Sequence, residues 1–304
     1  MKNYNFVANL KRALIISAAI MLVGVACLAI FGVQLDISFK GGTRIQYAFE
    51  KQPDLKKFET VTEEVLGSNV DVSKDEGQDH DLITVSLSKK VDGDKQTALL
   101  ERLNKDFPDS KIVKEQSNTL TAAMGTKFLL RCMLALGLAA GLLLIYVGFR
   151  FRKIGGLTAG VSALIALLHD LLIVFFTFVV FGIELDNNFV AVMLTILGYS
   201  LNDTIVIFDR IRTLRRRSDA PLEDIVNDSL HHVLRRTIIT TATTCVAILS
   251  VLVVALVMGV DSIVSFALPM LMGAISGSYS SLFLSGPIWV RWMNRREAKT
   301  GKKA

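Results

Sequence analysis

The sequence predicts a polytopic α-helical membrane protein with six transmembrane helices and one α+β domain inserted between the first and the second. Three observations predict this class. Apolar residue types make up 51% of the 304 residues and the mean hydropathy is +0.46, more apolar side chain than a soluble core of this size needs. These residues gather in long, nearly charge-free runs. One segment, from about Asp36 to Thr121, interrupts the runs with charged residues and short alternating stretches.

Ala13 to Leu35, Thr237 to Val260 and Ser262 to Val290 contain no Asp, Glu, Lys or Arg. Each exceeds the roughly 20 residues that cross a bilayer as a helix. Three further runs carry isolated polar groups: Phe128 to Phe149 with Arg131, Leu157 to Phe181 with His169 and Asp170, and Phe189 to Phe208 with Asp203. The first run is too long for a signal-peptide core and is followed by no small-residue cleavage site, so it reads as an uncleaved anchor. Cys27, Cys132 and Cys245 all fall within spans, which argues against a disulfide framework.

Short loops set the orientation, because Lys and Arg are retained on the cytoplasmic side. Gly182 to Asn188 and Met258 to Ser262 hold Glu184, Asp186 and Asp261 but no base, and are expected outside. The loop with Arg150, Arg152 and Lys153, the loop from Arg210 to Arg236 and the tail from Arg291 to Lys303 are then inside, as is the N-terminus with Lys2, Lys11 and Arg12. Both termini are therefore expected in the cytoplasm. The formal charge of +6 follows this distribution at span ends and is a topology signal, not a nucleic-acid footprint.

The interrupting segment reads as strand (Ser38 to Phe49), helix (Asp54 to Leu66), two short strands (Val70 to Lys74 and Leu82 to Ser88), helix (Lys95 to Asp106) and strand (Lys111 to Gln116). Leu55, Phe58, Val61 and Val65, then Leu99, Leu103 and Phe107, recur at helical spacing and would cover one sheet face. Asp75, Gly77, Gln78 and Asp79 supply a hairpin loop. The β-α-β-β-α-β order is that of ferredoxin-like folds. The expected organisation is residues 1–35 as N-terminus and first span, 36–121 as the extracytoplasmic domain, and 122–304 as the remaining spans, loops and tail.

Ionisable groups within spans are expensive and point to function. Asp203 lies in Gly198-Tyr-Ser-Leu-Asn-Asp-Thr204, with Tyr199, Val206 and Arg210 on its face and Asn202 and Asp209 on the neighbouring one. Arg236, Thr240, Thr243 and Ala247 form a stripe on the fifth span, and Arg236 falls at a depth similar to Asp203. A base that approaches and leaves a carboxylate shifts its proton affinity, which a proton-coupled switch requires. The threonines would bond neighbouring groups or hold water, or simply satisfy their own helix carbonyls. His169 and Asp170 are neighbours about 100° apart on a helix and are not expected to face one partner; they read equally as a proton relay or as packing groups.

Gly273, Gly277, Ser281 and Ser285 at four-residue spacing make a narrow seam on the last span. His231 and His232 lack metal-ligand spacing, and no nucleotide-binding or nucleophile motif occurs, so no metal, cofactor or enzymatic activity is expected.

Five strings occur in order: Phe39-Lys-Gly-Gly-Thr43, Tyr146-Val-Gly-Phe-Arg-Phe151, Ala166-Leu-Leu-His-Asp170, Gly198 to Thr204 with Phe208-Asp-Arg-Ile-Arg212, and Arg236-Thr237 followed by Gly277-Ser-Tyr-Ser-Ser281. Together they resemble the SecF branch of the SecD/SecF family of the bacterial Sec protein translocase. The resemblance marks Gly41, Gly42 and Thr43 as a motif at the junction of domain and membrane. It implies a resistance-nodulation-division type unit in the plasma membrane, paired with a separate SecD unit beside the SecYEG channel. It also implies use of the proton-motive force to draw preproteins outward after SecA has pushed them, with Asp203 and Arg236 as the switch. Membrane lipids complete the implied partners. The alternative is a proton-coupled small-molecule or lipid exporter of the same superfamily, which would need a larger exposed region. In a third reading the chain is a structural scaffold with Asp203 merely paired.

Overall fold

The structure is a computed structural model that describes residues 4–76, 81–120 and 122–300. Helix α1 (Leu10–Phe31) is followed by a single helical turn, α2 (Ile37–Lys40), and strand β1 (Gly42–Ala48). Then come α3 (Leu55–Leu66), β2 (Asp71–Glu76), β3 (Asp81–Leu87), α4 (Gly93–Asp106) and β4 (Val113–Leu120). The rest is helical: α5 (Ala122–Arg150), α6 (Gly156–Phe181), α7 (Asn187–Arg215), α8 (Leu222–Met258), α9 (Asp261–Ser280) and α10 (Gly286–Thr300). A π-helical segment, Ser281–Ser285, joins α9 to α10, so that the pair acts as one long span.

Among the described residues six helices are long and apolar enough to cross a membrane. Leu22, Leu138, Phe149, Val254 and Val257 on α1, α5 and α8 are exposed, which suits helices bathed in lipid. The centre is built by α6, α7 and α9, which bury far more of their apolar length. Phe151, Phe208, Ile211, Trp289 and Val290 fill one end of the bundle, and Val174, Phe178, Phe189 and Ile196 the other.

The inserted segment forms a four-stranded antiparallel sheet in the order β2-β3-β1-β4. Phe58 of α3 and Leu99 and Leu103 of α4 are fully buried against Ile45, Tyr47, Ile83 and Val85, the inward positions of β1 and β3. Burial of this order supplies about 1.5–3 kcal/mol per large apolar side chain. The expected loop residues Gly77, Gln78 and Asp79 lie outside the described residues, as does Thr121 at the expected domain boundary.

The first strand starts later than periodicity predicted. Ile37–Lys40 is helical because the Asp36 carbonyl accepts the N–H groups of Phe39 (2.9 Å) and Lys40 (3.0 Å), while Phe39 stacks on Phe128 of α5 at 5.5 Å. Gly41 (φ +80°) and Gly42 (φ +151°) then turn the chain into the sheet. A Cβ on Gly42 would lie 2.0 Å from the Leu87 carbonyl oxygen, a contact that only glycine avoids. Thr43 follows, its Oγ1 accepting the Val91 N–H at 3.0 Å. The last strand runs beyond Gln116 to Leu120, pairing with the whole of β1 before the chain enters α5.

The linker after α1 also touches the α6–α7 loop. Asp36 N–H donates to the Leu185 carbonyl (3.1 Å) and Leu185 N–H to that of Gln34 (2.8 Å), and the Asp36 carboxylate pairs with Arg44 on β1. Burial raises the Glu184 carboxyl above its usual range, with Asp71 and Asp36 adding repulsion, and burial likewise raises Asp186 against the pull of its helix-capping N–H bonds.

Gly42→Ala is expected to destabilise the protein by about 2–3 kcal/mol, since the strained backbone and the carbonyl clash act together. Thermal unfolding of the purified full chain measures it; an unchanged midpoint would contradict the reading.

Candidate functional site

Asp170 sits on α6 and is completely buried. Ser200 Oγ of α7 donates to its Oδ2 at 2.6 Å and Ser280 Oγ of α9 to the same atom at 2.7 Å, while Ser276 Oγ, one turn earlier on α9, donates to Oδ1 at 2.6 Å. His169 Nδ1 lies 3.2 Å from Oδ1 and 3.3 Å from Ser276 Oγ. Three serine hydroxyls and one ring nitrogen thus converge on the two oxygens of the Asp170 side chain. The expectation that His169 and Asp170 cannot face one partner is corrected: both meet Ser276 of α9, whose hydroxyl lies between them. His169 Nε2 is buried without a hydrogen-bond partner, and its ring lies 5.9 Å from that of Tyr279.

Small residues allow this convergence. A Cβ on Gly277 would approach the Ser200 side chain to 3.0 Å, and one on Gly273 would come within 2.7 Å of Ile196 and 2.8 Å of Val174. Ser281 shares a 2.9 Å hydrogen bond with Thr204 of α7, and its hydroxyl also donates to the Ser200 carbonyl at 3.3 Å. Helices α6, α7 and α9 are thereby held at backbone distance around a polar centre.

Asp203 is arranged differently. It is half-buried on α7, one residue before buried Thr204, and Asn202 beside it is exposed. Arg236 on α8 is close enough to act electrostatically on the Asp203 carboxylate, yet no ion pair within 4.0 Å joins them. Arg236, Thr240 and Thr243 are all exposed. The Thr240 hydroxyl donates to the Arg236 carbonyl at 2.9 Å and that of Thr243 to the Ile239 carbonyl at 3.0 Å, so both hydroxyls are spent on their own helix. The exposed stripe on α8 and half-buried Asp203 on α7 therefore lie on a side of the bundle left open in the single chain.

Sequence reasoning missed Ser200, Ser276 and Ser280. The i, i+4 pair Ser276 and Ser280 beside Gly277 was the available signal. It also missed the partners of Asp209, which accepts from Arg150 Nη2 at 2.9 Å and Arg212 Nη2 at 2.8 Å and so ties α5 to α7.

A family model for the C-terminal region of the protein export membrane proteins SecD/SecF matches residues 100–295. The chain belongs to the SecD/SecF family. Within that family the translocase subunit SecF of Alicyclobacillus acidocaldarius is 33% identical over 304 aligned residues, covering 95% of this chain and 94% of the relative. SecF of Petrotoga mobilis is 32% identical, covering 99% of this chain and all of its own length (100%). The crystal structure of SecDF from Thermus thermophilus aligns with a TM-score of 0.78 and 28% identity over 96% of this chain. This SecD/SecF chain spans only 39% of that SecDF chain. It is a multi-pass membrane protein similar to protein translocase subunits.

Ser280→Ala removes one donor from the Asp170 cage and is expected to cost about 1–2 kcal/mol. Ser278→Ala is the control, because its exposed hydroxyl only caps the Ile275 carbonyl at 3.0 Å and its loss should be within error. Melting of both variants in detergent tests the contrast; equal midpoints would contradict a cage that bears stability.

Proposed function

We propose that this chain is an auxiliary subunit of the Sec translocase that, with a separate SecD unit, uses the proton-motive force to promote late steps of preprotein export. The observation that carries the reading is the half-buried Asp203 within electrostatic reach of Arg236, on a side of the bundle left open in the single chain. Arg236 is exposed and, among the described residues, unpaired by any carboxylate within 4.0 Å, so it is free to approach or withdraw. Movement of that kind changes how tightly the carboxylate holds a proton. One elementary charge crossing 100 mV releases about 2.3 kcal/mol, the scale of an ordinary conformational coupling energy.

The full-length match to SecF subunits, and the SecDF chain of Bacillus subtilis of which this chain covers 39%, support a second, SecD-type unit as the partner on the open side. SecYEG, and through it SecA and the emerging preprotein, complete the assembly in this reading. In the proposed arrangement both termini are cytoplasmic and the chain lies in the bacterial plasma membrane. Residues 1–35 are the N-terminus and first span, 36–121 a ferredoxin-like extracytoplasmic domain, and 122–304 the remaining spans, loops and tail. Asn202, Thr240 and Thr243 line the access route to Asp203, and Gly41, Gly42 and Thr43 carry motion between the domain and the membrane. His169 and Asp170, with Gly273, Gly277 and Ser281, hold the three central helices that carry the switch. The chemistry involves no cofactor, no metal and no covalent catalysis.

Asp203→Asn keeps the shape of the side chain but cannot ionise. It is expected to leave protein abundance normal while abolishing the stimulation of preprotein export, and Arg236→Lys should be intermediate because it keeps the charge without the planar fork. If Asp203 were only a static partner of Arg236, the damage would fall on abundance instead. Protein level and export rate measured on the same membranes separate these outcomes. Normal export at full proton-motive force would overturn the assignment.

A further inference from the structure

On one side of the bundle α1 and α10 flank a groove of about 770 Å³. Its upper wall is basic: Lys11 from α1 faces Arg291, Arg295 and Arg296 from α10. Its floor is apolar, formed by Leu10, Leu14 and Ile288. Leu10 is buried against the side chains of the last span, whereas Leu14 is 44% exposed on the outer surface of α1. The floor is therefore continuous with the lipid-facing surface.

Among the described residues no acidic side chain lines this groove. Glu223 lies in the adjoining groove, which Lys11, Arg291 and Arg295 also line, and there the Asn294 amide donates to it at 2.8 Å. Among the described residues Lys11, Arg291 and Arg295 form no ion pair within 4.0 Å. Arg291 and Arg295 are four residues apart on one helix face, an arrangement of like charges that repels unless an anion is shared. The charge-free runs begin at Ala13 on α1 and end at Val290 on the last span, so the bases stand at the polar boundary of the membrane while Leu14 and Ile288 lie on its hydrocarbon side. Trp292, 40% exposed, stands at the same level, where amphipathic aromatic rings are favoured.

We infer that this groove is a binding site for an anionic phospholipid, with the headgroup phosphate on Lys11, Arg291 and Arg295 and an acyl chain along Leu14 and Ile288. Guanidinium groups suit phosphate because their paired N–H donors match two of its oxygens. A purely topogenic role for the same bases would need neither the apolar floor nor a gap of this volume. It would give no preference among lipids.

The test is native mass spectrometry of the purified full chain, titrated with cardiolipin, phosphatidylglycerol, phosphatidylcholine or inorganic phosphate. The wild type should retain the two anionic lipids and release phosphatidylcholine, and inorganic phosphate at equal concentration should displace neither. Arg291→Gln with Arg295→Gln should weaken anionic-lipid binding about 30-fold, while Arg291→Lys with Arg295→Lys stays within about threefold of the wild type. Should the Gln variant fail to fold, Lys11→Gln on the opposite helix should still lose about fivefold. Equal retention of phosphatidylcholine, or Gln variants that bind as tightly as the wild type, would overturn the site. Displacement by inorganic phosphate would reassign it to free anions and overturn the lipid proposal.

Discussion

The membrane bundle depends on how it satisfies one buried carboxyl. Asp170 has no access to water, and a polar group left unmet in such a place would cost several kcal/mol. Its partners come from two other spans, so the cage cannot form unless α6, α7 and α9 are in register with one another. The glycines at 273 and 277 follow from the same constraint, because hydroxyls this short reach the carboxyl only if the helix backbones approach closely. The interaction thus fixes depth and rotation of the central helices, and apolar packing around Ile196 and Phe208 fills in around it.

This rigid centre makes the contrast with Asp203 meaningful. The two carboxyls are on adjacent, interlocked helices, and one is caged while the other is half-buried with a base nearby but not bonded. A group bonded on every side is held in one position by its partners. The group with an uncommitted partner is, in this proposal, the one that changes state, on the surface that a second unit covers. In the proposed reading the cage keeps α7 still while the surroundings of Asp203 change.

The spans were legible because charge-free runs of this length are far more apolar than a soluble core requires, and the order of elements in the inserted segment was legible from amphipathic spacing. The start of β1 was not, since the helical turn Ile37–Lys40 closes on the Asp36 carbonyl and seats Phe39 on Phe128, about ninety residues away in the chain. The serine cage was hidden for a similar reason. A lone serine in an apolar helix reads as packing, and the partners of Asp170 are 30, 106 and 110 residues distant. Asp203 and Arg236 could be singled out because charge inside a span is conspicuous by itself, whereas the outward direction of Thr240 and Thr243 required the packed helices.

Completion of the side of the bundle bearing Asp203 and Arg236 by a SecD-type unit is the central claim. Site-specific photo-crosslinking in native membranes tests it most directly, with the reactive group at Thr243 on that side and at Leu142, an exposed residue of α5, as the lipid-facing reference. The expected result is a protein adduct from position 243, identified as a SecD-type chain, and none from position 142. Absence of any protein adduct at position 243, with both positions labelling lipid alone, would contradict it.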